Sequence, residues 1–165
     1  MKTARGVIVR GLSALVFASF VTAGAQARAA EITVLFAGAD PGPAWGTGYG
    51  GMLTITLFSI VGAELEGIWQ GGEAPETSML TLSGKAYVGP SFGRFVPYVG
   101  LAAGVYRESL PGGSDQGTTG GIFAGAKLKF PLGVVIRAEY QWIDLPAAAP
   151  LPMENRYFLG LGLSF

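Results

Sequence analysis

The sequence predicts an all-β fold: an eight-stranded antiparallel up-and-down transmembrane β-barrel, preceded by a cleavable signal peptide. Three observations point there. Charged residues make up 13% of the 165 residues while hydrophobic residues make up 50%, and a soluble domain usually carries about twice that charged share. After residue 30 the chain alternates apolar and polar side chains in segments of about ten residues, the period of strands and not of helices. The links between these segments alternate short and long, as they do when strands run up and down through a bilayer.

The first 29 residues are expected to be a leader. Lys2, Arg5 and Arg10 form a basic start, Gly11 to Ala25 run almost without polar side chains, and Ala25-Gln26-Ala27 and Ala27-Arg28-Ala29 each have the A-x-A form of a cleavage site. Cleavage is expected after Ala27 or Ala29, leaving 30–165 as the barrel. The apolar run of about fifteen residues is shorter than the roughly twenty needed by a spanning helix, which argues against a permanent anchor. Removing this basic segment leaves a mildly acidic mature chain.

Composition also narrows the chemistry. There is no cysteine and no histidine, which excludes a disulfide scaffold, a thiolate metal site and a cysteine nucleophile, and removes the commonest general base and metal ligand. The formal net charge is zero, so nothing suggests a nucleic-acid partner. No catalytic residue, metal or cofactor is expected.

The eight expected strands run from Ile32 to Ala39, Tyr49 to Phe58, Gly62 to Gln70, Met79 to Val88, Phe95 to Arg107, Thr119 to Phe130, Gly133 to Asp144 and Glu154 to Phe165. Short links at Ser59 to Val61 and Pro131-Leu132 are expected at the periplasmic end, with Gly89 to Arg94 as a longer member. Longer links rich in Gly and Pro, at Asp40 to Gly48, Gly71 to Ser78, Glu108 to Gly117 and Leu145 to Met153, are expected outside.

Successive side chains on a strand point to opposite faces. One parity of the last strand carries Tyr157, Leu159, Leu161, Leu163 and Phe165, and the other carries Phe158, Gly160, Gly162 and Ser164. The charged residues of the other strands share one parity: Glu64, Glu66, Lys85, Lys127, Lys129, Arg137 and Glu139. They are expected to form a charge-paired network in a lumen just wide enough to be filled by side chains. The alternative places them on the wet face of a soluble sheet. Strands one and five alternate less clearly; Leu35 would point inward beside Thr33, and Pro97, without a ladder donor, should lie near the start of its strand.

Aromatic residues fall at strand ends. Phe58, Tyr87, Phe92, Phe95, Phe130 and Phe165 are expected at the periplasmic ends, and Trp45, Tyr49, Trp69, Tyr106, Trp142 and Tyr157 at the external ends. Two such girdles are what anchoring at both membrane interfaces requires. The most specific members are Trp45, Trp69 and Trp142 on one side, with Phe58, Phe95 and Phe130 on the other.

Arg137-Ala-Glu-Tyr-Gln-Trp142 and Arg156-Tyr-Phe-Leu-Gly-Leu-Gly-Leu-Ser-Phe165 resemble the last two strands of the bacterial outer-membrane β-barrel domain family, the OmpA/OmpX-like small barrels. Val96-Pro-Tyr-Val-Gly-Leu-Ala-Ala-Gly104 is similar to that family's fifth strand. The resemblance spans the mature chain. It implies Sec-type export, residence in the outer membrane of a Gram-negative bacterium, and a C-terminal signal for the barrel-assembly machinery carried by Tyr157, Leu161, Leu163 and Phe165. Some barrels of this size are lipid A-modifying enzymes with an active-site histidine, from which this chain departs.

The function expected from sequence is therefore a non-enzymatic integral outer-membrane protein with a structural or surface-interaction role. Its expected partners are membrane lipids and the assembly machinery, and it is expected to be a monomer. Two other functions fit less well: a soluble periplasmic lipocalin-like lipid-binding barrel with its faces inverted, and a narrow pore.

Overall fold

The computed structural model describes residues 29–39, 45–57, 59–72, 77–144 and 155–165. The expected leader, apart from Ala29, lies outside these, as does Phe58. Eight strands follow in order: β1 (Ala29–Ala39), β2 (Trp45–Leu57), β3 (Val61–Gly72), β4 (Ser78–Val88), β5 (Phe95–Leu110), β6 (Gly113–Lys129), β7 (Val134–Asp144) and β8 (Asn155–Ser164). Each pairs antiparallel with its sequence neighbour, and β1 pairs with β8 to close the barrel. Ala30 and Phe165 exchange both backbone hydrogen bonds, at 3.0 and 2.9 Å, so the seam extends to the last residue. Closure leaves no sheet edge along the wall, which is why strands can present backbone to lipid without orphaned donors.

The sequence faces emerge as two surfaces. Ile32, Val34, Phe36, Leu53, Leu80, Leu82, Val99, Leu101, Ile122, Leu159, Leu161 and Leu163 are exposed on the outside, while Glu64, Glu66, Lys85, Arg137 and Glu139 are buried inside. This is the inverse of a soluble fold. Leu35 and Thr33 both point inward, as strand parity requires, and Pro97 is the third residue of β5.

A narrow barrel must fit its interior side chains closely, and here aromatics lie over glycines. Tyr87 pairs across strands with Gly62 and Tyr98 with Gly125. A Cβ on Gly62 would fall inside the Tyr87 ring, and one on Gly125 would strike the Tyr98 hydroxyl. The glycine-rich parity is thus a set of seats for rings.

Two expectations need correcting. The segment from Glu108 to Gly117 is not a long external loop: β5 and β6 continue to Leu110 and Gly113, joined by Pro111-Gly112 alone. Gly112 sits at φ 98°, the left-handed region that glycine enters freely. Cross-strand pairing overrides the loop-like composition of Ser-Leu-Pro-Gly-Gly-Ser-Asp-Gln-Gly. Likewise β2 begins at Trp45, because its glycines pair with β3 as far as Gly72, with a register irregularity between Trp45 and Gly48.

At the opposite end the turns are tight. Ser59 (φ 64°) and Ile60 link β2 to β3, a single 3₁₀ turn at Pro131–Gly133 links β6 to β7, and Gly89 to Arg94 link β4 to β5 around Gly93 (φ 67°).

Candidate functional site

The lumen holds the molecule's concentration of charge. Arg137, on β7, is only 1% exposed. Its guanidinium forks onto Glu64 of β3, donating to both carboxylate oxygens at 2.9 and 3.2 Å. It also donates to Glu139 on its own strand and, through Nε, to the Tyr98 hydroxyl at 3.1 Å. Two parallel N–H···O bonds fix both position and orientation, as a lysine could not.

Lys85, on β4, occupies the next layer outward. Its ammonium donates to Glu66 at 2.8 Å and to Glu139, lies 3.7 Å from Glu64, and sits 4.4 Å from the Phe123 ring centroid. Lys127, on β6, lies toward the end of the barrel where the C-terminus closes on β1 and is shared by Glu31, Glu64 and Tyr87, each at 3.3 Å. Tyr98 donates to Glu139 at 3.0 Å and Thr54 to Glu64 at 3.1 Å. No carboxylate in this cluster therefore depends on one donor, which limits the desolvation cost of burying it.

Toward the opposite end of the barrel Gln141 donates to Glu139 at 2.8 Å and accepts from Arg156 at 2.9 Å, while Arg156 lies 3.9 Å from Glu66. Arg156 Nε, Gln70 Nε2 and both Glu108 carboxylate oxygens are buried without a hydrogen-bond partner among the described residues. A small cavity beside Ser83, Ala102, Gly104, Gln141 and Arg156 interrupts the packing here.

Of the seven charges singled out from sequence, Glu64, Glu66, Lys85, Lys127, Arg137 and Glu139 lie in one contiguous cluster. Lys129 is the exception. It is the last residue of β6, half-buried, with no carboxylate within ion-pairing distance among the described residues. Parity alone cannot separate a mid-barrel charge from one at the rim.

Sequence reasoning missed Glu31, Arg156 and Glu108, all buried inside. Glu31 precedes the expected first strand, Glu108 fell in an expected loop, and Arg156 stands at the ragged start of β8. Stepping by two from Thr33 and Phe158 reaches Glu31 and Arg156, so the signal was present in the period. Among the described residues no group of His, Cys, Asp and Glu is arranged to hold a metal.

The aromatic positions divide. Trp69, Trp142, Phe95 and Phe130 are exposed on the outer surface, whereas Tyr87 and Tyr106 face the lumen and belong to neither girdle. Lumen parity, shared with Lys85 and Glu108, turns those two tyrosines inward. Trp45 is the first residue of β2. Tyr157, Leu161, Leu163 and Phe165 form one exposed row along the closing strand.

Comparison with solved structures finds the same fold. Neisserial surface protein A matches with a TM-score of 0.60 at 14% identity, covering 82% of this chain and 93% of that one. The N-terminal β-barrel domain of Pseudomonas aeruginosa OprF matches at 0.55 and 20% identity, covering 84% and 98%. Ail, the attachment invasion locus protein of Yersinia pestis, matches at 0.55 and 17% identity, covering 83% and 98%. The chain shares with them a small eight-stranded β-barrel. No protein-family model and no curated protein matches the sequence.

Proposed function

We propose that this chain is a non-enzymatic integral protein of the bacterial outer membrane. In this reading it is a monomer with a structural or surface-interaction role and a lumen closed by paired charges. One observation carries the proposal: the outward parity of the barrel is a continuous belt of exposed Leu, Val, Ile and Phe, while ionised side chains fill the interior. Soluble monomers rarely expose contiguous apolar patches beyond a few hundred Å², so lipid is the solvent that fits this surface. The fold shared with Neisserial surface protein A and with Ail, an outer membrane protein of Yersinia pestis, supports the same compartment.

In this reading Tyr157, Leu161, Leu163 and Phe165 present the row read by the barrel-assembly machinery, and surface recognition falls to the external segments. Cleavage after Ala27 suits the fold better than cleavage after Ala29, because Ala29 pairs with Thr56. Sequencing the mature N-terminus should then start at Arg28.

The lipocalin-like alternative needs Leu159, Leu161 and Leu163 around an internal ligand, but they lie outside. Leu161→Arg separates the two functions. A cationic side chain at the bilayer midplane costs about 2–4 kcal/mol, so the variant should fail to insert and be degraded in the periplasm. Normal export with loss of a bound lipid would favour the soluble barrel. For the pore alternative, planar bilayers should show only small, irregular openings; a steady conductance would oppose a closed lumen.

A further inference from the structure

We propose that the β6–β7 turn is a lipid anchor, in which Leu132, flanked by Phe130 and Phe165, inserts into the phospholipid leaflet on the periplasmic side of the barrel. The inference rests on the outer-membrane reading above and adds a specific contact to it.

The turn breaks two local rules at once. Phe130-Pro131-Leu132-Gly133 has the Pro and Gly of an ordinary turn but none of the Asn, Asp or Ser that usually accompany them, and no polar side chain at all. Leu132 also stands at φ 65°, ψ 17°, a left-handed conformation that costs a branched L-residue energy and glycine almost nothing. The other described turns place Gly93, Gly112 or a small serine, Ser59, at their left-handed positions. Packing within the protein does not explain the leucine, because its side chain is 97% exposed.

The surroundings indicate what covers it. Ser164 Oγ donates to the Gly133 carbonyl at 3.3 Å, fastening the turn to the end of β8, and the Phe130 N–H donates to the Val134 carbonyl at 2.7 Å, closing the turn on itself. The Ser164 bond joins the residue after Leu132 to the residue before Phe165, itself 75% exposed, at the end of the outer belt that runs through Leu128, Ile136 and Leu163. The β4–β5 turn at the same end also exposes an aromatic, Phe92, but sets it between Ser91 and Arg94, so that turn carries the polar groups the β6–β7 turn lacks. An apolar turn continuous with the lipid belt, without a polar group to orient a protein partner, fits acyl chains and the interface region.

The chain has no cysteine, so single-cysteine variants of the full chain can carry one environment-sensitive fluorophore. Leu132→Cys and, as a mid-belt control, Val34→Cys are labelled and refolded into phosphatidylcholine–phosphatidylglycerol vesicles. These vesicles contain lipids with a nitroxide either near the acyl carbonyl or near the chain end. The expected result is that the label at position 132 loses most of its emission to the shallow nitroxide and resists a water-soluble quencher, while the label at position 34 responds to the deep nitroxide. If position 132 is quenched only from water while position 34 is quenched from lipid, the anchor is wrong and the membrane reading stands. If position 34 also escapes lipid quenching, the membrane reading itself fails. A Leu132→Asn chain that assembles poorly in cells, alongside a label at 132 that lipid cannot reach, would assign the turn to the assembly machinery and overturn the proposal.

Discussion

Arg137 holds two carboxylates and a phenol with one guanidinium, so its loss should be felt well beyond its own strand. Replacing it with Met leaves Glu64 and Glu139 buried with fewer positive partners, and breaking a buried ion pair costs about 3–5 kcal/mol. Urea unfolding in vesicles, followed by tryptophan fluorescence, should show a loss of that size. Pairing the change with Glu64→Gln should recover part of it, because the two sites share one interaction. A fully additive double variant would contradict the shared network. Gly62→Val tests the fit of the interior in the same assay: the new side chain overlaps the Tyr87 ring, and overpacking of this kind costs about 1–3 kcal/mol. Six of these lumen charges were legible from the two-residue period alone. Glu31 and Arg156 lie on the same two-residue period but at strand ends, where parity does not show whether a charge still reaches the packed interior, and so they were passed over.

At the level of elements, the β5–β6 hairpin is the part least visible in sequence. Its outer half, with Pro111, Gly112, Gly113 and Gly117, has loop composition, yet Arg107 pairs with Leu80 on one side and with Gln116 on the other. Long-range pairing supplied what local propensity withheld. The hairpin turn depends on Gly112 at φ 98°, so Gly112→Val should destabilise the barrel by about 1–2 kcal/mol, the usual cost of forcing an L-residue into that region. The lumen ion pairs should be untouched. No change in urea stability would mean that Pro111-Gly112 is a relaxed loop and not a strained tight turn. By contrast β7 and β8 were legible almost to the residue, since their alternation is unbroken and prolines at 131, 146, 150 and 152 mark the links that bound them. Removing Phe165 should reduce the amount of folded protein in cells far more than it reduces refolding from urea in vitro. Equal losses in both would assign this residue to stability and not to an assembly signal.

For the whole molecule, the arrangement follows from a simple constraint. Eight strands close a ring whose interior only side chains can fill, and a low-charge sequence can satisfy that ring only by spending its few charges inside. The count of strands, the closed topology and the inversion of faces could all be inferred from composition and period. The layers of the interior could not, because they depend on which side chains meet across the barrel, as Lys127 and Glu31 do from strands far apart in sequence. The same topology accounts for the expected behaviour in solution: a closed barrel in detergent keeps its shape until heated. The most direct test is cell fractionation combined with electrophoresis of boiled and unboiled samples. The protein should be found in the outer-membrane fraction and migrate faster unboiled than boiled. Recovery in the soluble periplasmic fraction, with one mobility before and after heating, would contradict a lipid-embedded barrel.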